Sequence, residues 1–443
     1  MSVTPPPSYP QLHPDLGQTA GRDRKTALET TPQDLSTALD EAQAEAIGLP
    51  KKKIHQVEQP QMVNVFNYTG AVFGEDEEYE HTEFLPSFPE ITFPPLEEQP
   101  FTDRAFFANP QKTRLYREVE AQGGKVQFMN PNIGAEFTGV SLTKLSDEAR
   151  DDLALLLAER GVVVFRKQDD MTIESQTDLG KHWGPLHIHS TTGVPRRAGL
   201  EHVHVVYADK GALPDRTAFA PIELYHSDVT FEIQPPGPTI LRLITAPDCG
   251  GDTLFTSGAA VYASLSPFYQ QYLDNLYAVH SGKEQSKGAQ SAGQHIRRPA
   301  IENAHPVVRV NPVTGVKSIF VNPGFTRRIL GVSKAESDNT LSFLYSQFAQ
   351  TPEYTARVKW EVNDVAIWHN GLVNHSASFD FWPQRRHALR VTPHAERPMS
   401  VAEYETKYDK KAIDSDTVKY RALGMEKPKY NVTLNRKERG FKD

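Results

Sequence analysis

From Leu224 to the end of the 390s the chain is written in short apolar runs: Ile240–Ile244, Val307–Val310, Ser318–Val321, Val365–Trp368 and Ala388–Val391. Pro and Gly turns separate them, and one helical pattern, Ala335–Gln350, interrupts them. Many short strands with few helices predict a mainly β fold with flanking helices, a sandwich or jelly roll.

Upstream, Gln127-Phe128-Met129 reads as a short strand before a turn at Gly134. Ser146 is a helix N-cap with Asp147 and Glu148 in the first turn, where acids suit the helix dipole. Leu153, Leu156 and Leu157 form one apolar face of that helix, Gly161 ends it, and Val162–Phe165 follows as a buried strand. A second helix is expected from Ile173 to His182. Residues 1–60 are rich in Pro, Thr, Gln and charge, with a helical stretch over Leu35–Ile47. Residues 84–108 hold Phe84, Phe88, Phe93, Phe101, Phe106 and Phe107, too many aromatics for a free tail. These shifts divide the chain into a disordered or loosely docked acidic extension (1–83), an aromatic and Pro-rich segment wrapping the core (84–124), a central domain (125–398) and a polar C-terminal extension (399–443).

Charge and composition exclude several classes. Of the net charge of −8, −11 falls within residues 1–105 and +3 on the remainder, so no basic stripe favours nucleic acid. No run of about 18 apolar residues exists to span a membrane. Cys249 is the only cysteine, which excludes an intrachain disulfide and a Cys-based zinc site. The opening MSVTPPPSYPQLHPDLG lacks the parts of a secretory signal, so cytoplasmic residence is expected. Self-association is left open.

Among sixteen histidines, one segment stands apart: Tyr225-His226-Ser227-Asp228-Val229-Thr230-Phe231. On a strand, residues i and i+2 share a face, so His226 and Asp228 can address one point. Two imidazoles and one carboxylate on one face leave coordination positions open, the pattern of non-haem Fe(II) oxygenases. His-x-Asp alone is weak, since a surface strand gives it by chance. Downstream, however, His375 is followed eleven positions later by Arg386. A guanidinium can clamp a carboxylate with paired donors that lysine lacks; a solvated basic turn is the plainer reading of Arg385-Arg386.

The stretch YHSDVTFEIQPPGPTILRLITAPDCGGDTLFTSGAAVYASLS resembles the iron-binding core of the taurine dioxygenase family of Fe(II)/2-oxoglutarate enzymes. VVVFRKQDDMT…LGKHWGPLHIHS before it and NDVAIWHNGLVNHSASFDFWPQRRHALRVT after it are similar in the same order, over roughly residues 125–398. The fungal alpha-ketoglutarate-dependent sulfonate dioxygenases resemble it most. The resemblance implies a double-stranded β-helix (jelly roll, cupin-like) core. It makes His226, Asp228 and His375 the metal ligands, with His369, His387 and His394 as nearby rivals for the last. It makes Arg386 and Thr253 the holders of 2-oxoglutarate. Arg390 and, with its ring protonated, His189 would meet a substrate sulfonate; Val229, Phe231 and Phe325 would line the pocket or simply pack the core. Arg390 could instead brace the strand by pairing with a protein carboxylate such as Asp364 or Glu361. Thr192 stands where the taurine enzyme has a tyrosine, and the longer segment Thr191–Pro221, carrying Arg196, Arg197, His202 and His204, is expected to form a loop over the site.

The implied reaction consumes O2 and 2-oxoglutarate, hydroxylates the carbon next to sulfur, and yields succinate, CO2, sulfite and an aldehyde. The implied partner is a small anionic organic substrate. Another anion (alkyl sulfate, aryloxyacetate or purine) and a non-catalytic 2-oxoglutarate- or metal-binding barrel remain as alternatives.

Overall fold

A computed structural model describes residues 66–68, 78–214 and 219–427; the helical stretch expected over Leu35–Ile47 lies outside them. The strands of the two sheets that carry the site are numbered in chain order: β1 Lys125–Phe128, β2 Ala135–Thr138, β3 Val162–Phe165, β4 Val203–Ala208, β5 Pro238–Thr245, β6 Thr253–Ser257, β7 Thr355–Val358, β8 Val365–His369, β9 Val373–Ala377 and β10 Arg386–Val391. The larger sheet runs β1-β2-β3-β8-β5-β10-β4 and the smaller β7-β6-β9. Every neighbouring pair is antiparallel except β2 and β3.

Strand alternation assigns the faces. Val163 and Phe165 pack, with Ile240, Val365 and Ile367, against Leu153, Leu156 and Leu157 of a covering helix. Val162 and Val164 point the other way, joining Leu241, Leu243, Ala366 and Trp368 to Phe255, Val358 and Val373 of the smaller sheet. The all-apolar run Val162–Phe165 is therefore buried on both sides, and the two sheets share an apolar core.

Helix α1 spans Thr113–Ala121, and the three helices expected from the sequence follow it as α2 Asp147–Arg160, α3 Ile173–Trp183 and α4 Lys334–Gln350. The Ser146 hydroxyl accepts from the Ala149 N–H to start α2, and Gly161, at φ 72°, ends it. That helix also buries Asp151 and Asp152. Arg104 donates from Nε and Nη2 to Asp151 at 2.8 and 2.7 Å, and Arg114, at the start of α1, meets Asp152. The segment before α1 is thus tied down by buried charge as well as by Leu85, which is fully buried. Its aromatics are divided: Phe106 and Phe107 are about half exposed, at 46% and 54%. No helix among the described residues is long and apolar enough to cross a membrane.

Four buried or half-buried histidines make the fold acid-sensitive. Burial pushes His369 and His387 down to about 3, and His305 and His394 down to about 4. The unfolded chain takes up a proton at each near pH 6.5 while the fold refuses it, so stability falls with pH below that point. Four such groups cost about 5 kcal/mol per pH unit while all stay neutral, against a total of about 5–15 kcal/mol. Cooperative loss of structure is expected above pH 4, read by circular dichroism; a native spectrum at pH 4 would show that these rings accept protons in place.

Candidate metal and co-substrate site

His226 and Asp228 do not lie on a strand as their spacing suggests. His226 makes a two-bond antiparallel bridge to His375 on β9: its N–H donates to the His375 carbonyl (2.9 Å) and its carbonyl accepts from the His375 N–H (2.7 Å). The chain then turns. Val229 is left at φ +40°, a strained conformation for a β-branched residue. Asn370 holds the turn, accepting from the Asp228 N–H (2.6 Å) and donating to the Asp228 carbonyl (2.9 Å). This bend, rather than pleat alternation, brings the Asp228 carboxylate back to the histidines.

The result is compact. Asp228 Oδ1 lies 3.6 Å from His226 Nε2 and 4.0 Å from His375 Nε2, and one ligand atom from each residue falls within 4.8 Å of the others. The His226 Nδ1–H donates to the Leu224 carbonyl (2.9 Å), which turns the Nε2 lone pair toward the cluster. Burial, reinforced by the neighbouring His226, pushes the His375 imidazole down to about 3. Burial alone would raise the Asp228 carboxyl; the Arg390 guanidinium and the two imidazoles outweigh it and hold it well below the usual range. A neutral imidazole at His375 and an ionised carboxylate at Asp228 are forms a divalent cation needs, and with His226 they make a hard-and-borderline N2O set that suits Fe(II). The rival histidines are committed elsewhere: His387 to Tyr79 and the Phe84 carbonyl, His394 to the Gln234 carbonyl, and His369 to the Gly371 N–H with its other nitrogen near Asn311.

The cluster opens on a cleft of roughly 1100 Å³, mouth included. Alternation along β10 puts Arg386, Ala388 and Arg390 on one face, and both arginines line this cleft. Arg386 donates from Nε to the Gly251 carbonyl (3.1 Å), while its two terminal nitrogens have no acceptor among the described residues. Gly251, at φ +68°, permits this approach; a Cβ there would sit 3.1 Å from Arg386 Cδ. Burial lowers the guanidinium to about 10, partly offset by Asp252, so it stays charged at neutral pH. Thr253, on β6, lines the same cleft. Its hydroxyl accepts from Trp360 Nε1 (3.0 Å), which leaves its own hydrogen for the cleft.

Arg390 is bound differently from the sequence-based expectation. Its Nη1 donates to both oxygens of Asp228 at 2.9 Å, and its Nη2 to His204 Nδ1. Neither Asp364 nor Glu361 is its partner; Asp364 is taken by Arg166 (2.6 Å). The protonated His189 is corrected too. Burial, with His187, Arg390 and Arg297 nearby, holds that ring well below its usual value, and so neutral. Val229 and Phe325 line the cleft, whereas Phe231 stands behind them, its ring edge-on to Phe325. The 191–221 segment is not simply a loop: Val203–Ala208 is the edge strand β4, which adds His204 and Val206 to the wall. Gln285, from the helix Lys283–Ser291, also lines the cleft and was not foreseen.

The chain is similar to several known proteins. The family model described as "Taurine catabolism dioxygenase TauD, TfdA family" matches residues 125–392. An alpha-ketoglutarate-dependent sulfonate dioxygenase of Saccharomyces cerevisiae is 38% identical, over 73% of this chain and 80% of its own. An alpha-ketoglutarate-dependent sulfate ester dioxygenase of Pseudomonas putida is 32% identical, over 61% of this chain and 89% of its own. The crystal structure of a taurine dioxygenase from Burkholderia xenovorans superposes with a TM-score of 0.53 at 30% identity, covering 63% of this chain and 94% of that one.

Proposed function

Since the chain belongs to the taurine catabolism dioxygenase TauD, TfdA family, we propose that it hydroxylates the carbon next to sulfur of a small organosulfonate, with Fe(II), 2-oxoglutarate and O2. The observation that carries this reading is one cleft in which a His-Asp-His cluster, a guanidinium with free terminal donors and a second, metal-side guanidinium meet. The two sheets are read as the halves of a double-stranded β-helix, with the cleft between them.

His226, Asp228 and His375 would hold the iron, which supplies oxidation of a C–H bond coupled to decarboxylation of 2-oxoglutarate. Arg386 and the Thr253 hydroxyl would hold the far carboxylate of the co-substrate, and so fix its keto acid end toward the cluster. Arg390 lies on the metal side, with His189 near it. Charge balance does not by itself call for an anionic substrate, because Asp228 already meets Arg390. The support is in the donor left over: Arg390 Nη2 gives one hydrogen to His204 Nδ1 and keeps a second for an anion in the cleft. Val229 and Phe325 give the substrate an apolar wall. The chemistry asks these residues for position rather than for acid or base catalysis. Overall, a sulfonate R–CH2–SO3⁻ with O2 and 2-oxoglutarate gives succinate, CO2 and R–CH(OH)–SO3⁻, which splits into R–CHO and bisulfite.

Sulfite and succinate release over sulfonates of graded length, with alkyl sulfates in parallel, tests this. Substrate-dependent succinate with sulfates alone would move the assignment to sulfate esters, the substrate class in the name of the Pseudomonas relative. No substrate-dependent succinate at all would mark a non-catalytic binding protein.

Arg386→Lys should raise the KM for 2-oxoglutarate by about tenfold or more and that for the sulfonate far less. Lysine keeps the charge but loses the paired donors and the Nε bond to Gly251. Unchanged co-substrate saturation would place the carboxylate elsewhere.

A further inference from the structure

His204 takes no part in the chemistry above, yet it faces the cleft beside Arg390. On β4, Val203, Val205 and Tyr207 pack into the apolar cluster with Leu389 and Val391 of β10. The opposite face therefore presents His204 and Val206 to the cleft. Register sets His204 directly across from Arg390, as Val206 is across from Ala388 and Ala208 from Arg386. Arg390 Nη2 donates to His204 Nδ1, so the hydrogen of the neutral ring sits on Nε2. That Nε2 has no partner among the described residues and is not sealed within the protein, so it opens on the cleft.

His189 is in the same state. Its Nδ1 accepts from the Thr191 and Thr192 N–H groups (3.1 and 3.3 Å), which puts its hydrogen on Nε2 as well. The two rings lie 5.4 Å apart. With Arg390, Asp228, His187 and Thr392 they border a small recess at this end of the cleft. Burial holds both imidazoles neutral, so each offers one fixed N–H without adding charge beside the arginine.

Resting on the dioxygenase reading above, we propose that His204 is a specificity-determining residue: with His189 and Arg390 it completes a three-donor cradle for a tetrahedral oxyanion. A sulfonate or sulfate ester directs three oxygens in three directions, one for each donor. A carboxylate has two oxygens in one plane, and its binding leaves one buried N–H unpaired, which is penalised more than a missing attraction would be. His204 thus selects the shape of the anion, while Arg390 supplies its charge.

The test uses full-length protein loaded anaerobically with Fe(II) and 2-oxoglutarate and titrated calorimetrically with butanesulfonate, butyl sulfate and pentanoate. Wild type should bind the two tetrahedral anions about tenfold or more tighter than pentanoate. His204→Leu should erase that preference while leaving 2-oxoglutarate affinity and thermal stability near wild type. His204→Gln, which keeps an N–H donor at a similar reach, should recover much of it. Equal binding of all three anions by wild type, binding of none, or a preference retained in His204→Leu would each overturn the proposal. So would a Leu variant that loses 2-oxoglutarate affinity and stability without rescue by Gln, since His204 would then only brace Arg390. Failure of the reaction itself reads out separately: tight, His204-dependent butanesulfonate binding with no sulfite on admitting O2 supports the cradle and refutes sulfonate oxidation.

Discussion

His226→Ala and Asp228→Ala should each abolish Fe(II) binding and turnover, but only Asp228→Ala should also destabilise the metal-free fold, by about 3–5 kcal/mol. Each removes one of three protein ligands. The His226 side chain is a third exposed at the cleft mouth, so its loss costs the fold little. Asp228 is the anion against which buried Arg390 is neutralised, through two contacts of 2.9 Å. Without it a guanidinium remains buried and unpaired. The double variant Asp228→Ala/Arg390→Leu should recover much of that stability and none of the iron binding. Urea denaturation in the presence of a chelator, together with calorimetric Fe(II) titration, reads both quantities. Wild-type iron affinity in either single variant would remove that residue from the ligand set, and equal stability of the two would show that Arg390 finds another anion.

How far the sequence could be read depends on how local the deciding contact is. Val162–Phe165, the Ser146 cap and the Gly161 stop are local, and the structure has them where the pattern placed them. The shared face of Arg386 and Arg390 also follows from alternation within one strand. His226 and Asp228 meet for another reason than the one the pattern supplied: the turn at Val229 and the grip of Asn370, 142 residues away, do what pleating was expected to do. Charged residues on a helix read as solvated, so Asp151 and Asp152 gave no sign of burial; distant groups satisfy them, Arg104 and His182 for the first, Arg114 and the Asn109 and Leu115 N–H groups for the second. His204 was expected over the site, but on a loop rather than on a strand opposite Arg390. The alternation His202-Val203-His204-Val205 was a legible strand signal, but its partner Arg390 lies 186 residues on and on another strand.

Arg390→Ala carries the most information, because that side chain touches both the ligand cluster and the anion end of the cleft. Loss of a buried, charge-assisted contact should cost the substrate on the order of 2–5 kcal/mol, so sulfite release should vanish at ordinary sulfonate concentrations. Arg386 and Thr253 are untouched, and 2-oxoglutarate should bind as before. Without metal, Asp228 becomes a buried carboxylate with no guanidinium, and stability should fall by about 3–5 kcal/mol. Fe(II) supplies the missing positive charge, so iron should raise the melting temperature of the variant more than that of wild type. The pH dependence has a definite sign. Arg390 is the largest influence holding the Asp228 carboxyl down against its burial, so removing it raises that group. Iron requires the ionised form, and affinity in the variant should therefore decline at a higher pH than in wild type. Melting curves with and without Fe(II), iron titrations across pH, and sulfonate turnover in this one variant separate the roles. Persistent turnover with lowered stability would make Arg390 a brace for Asp228 alone, and the substrate anion would have to be met by other donors.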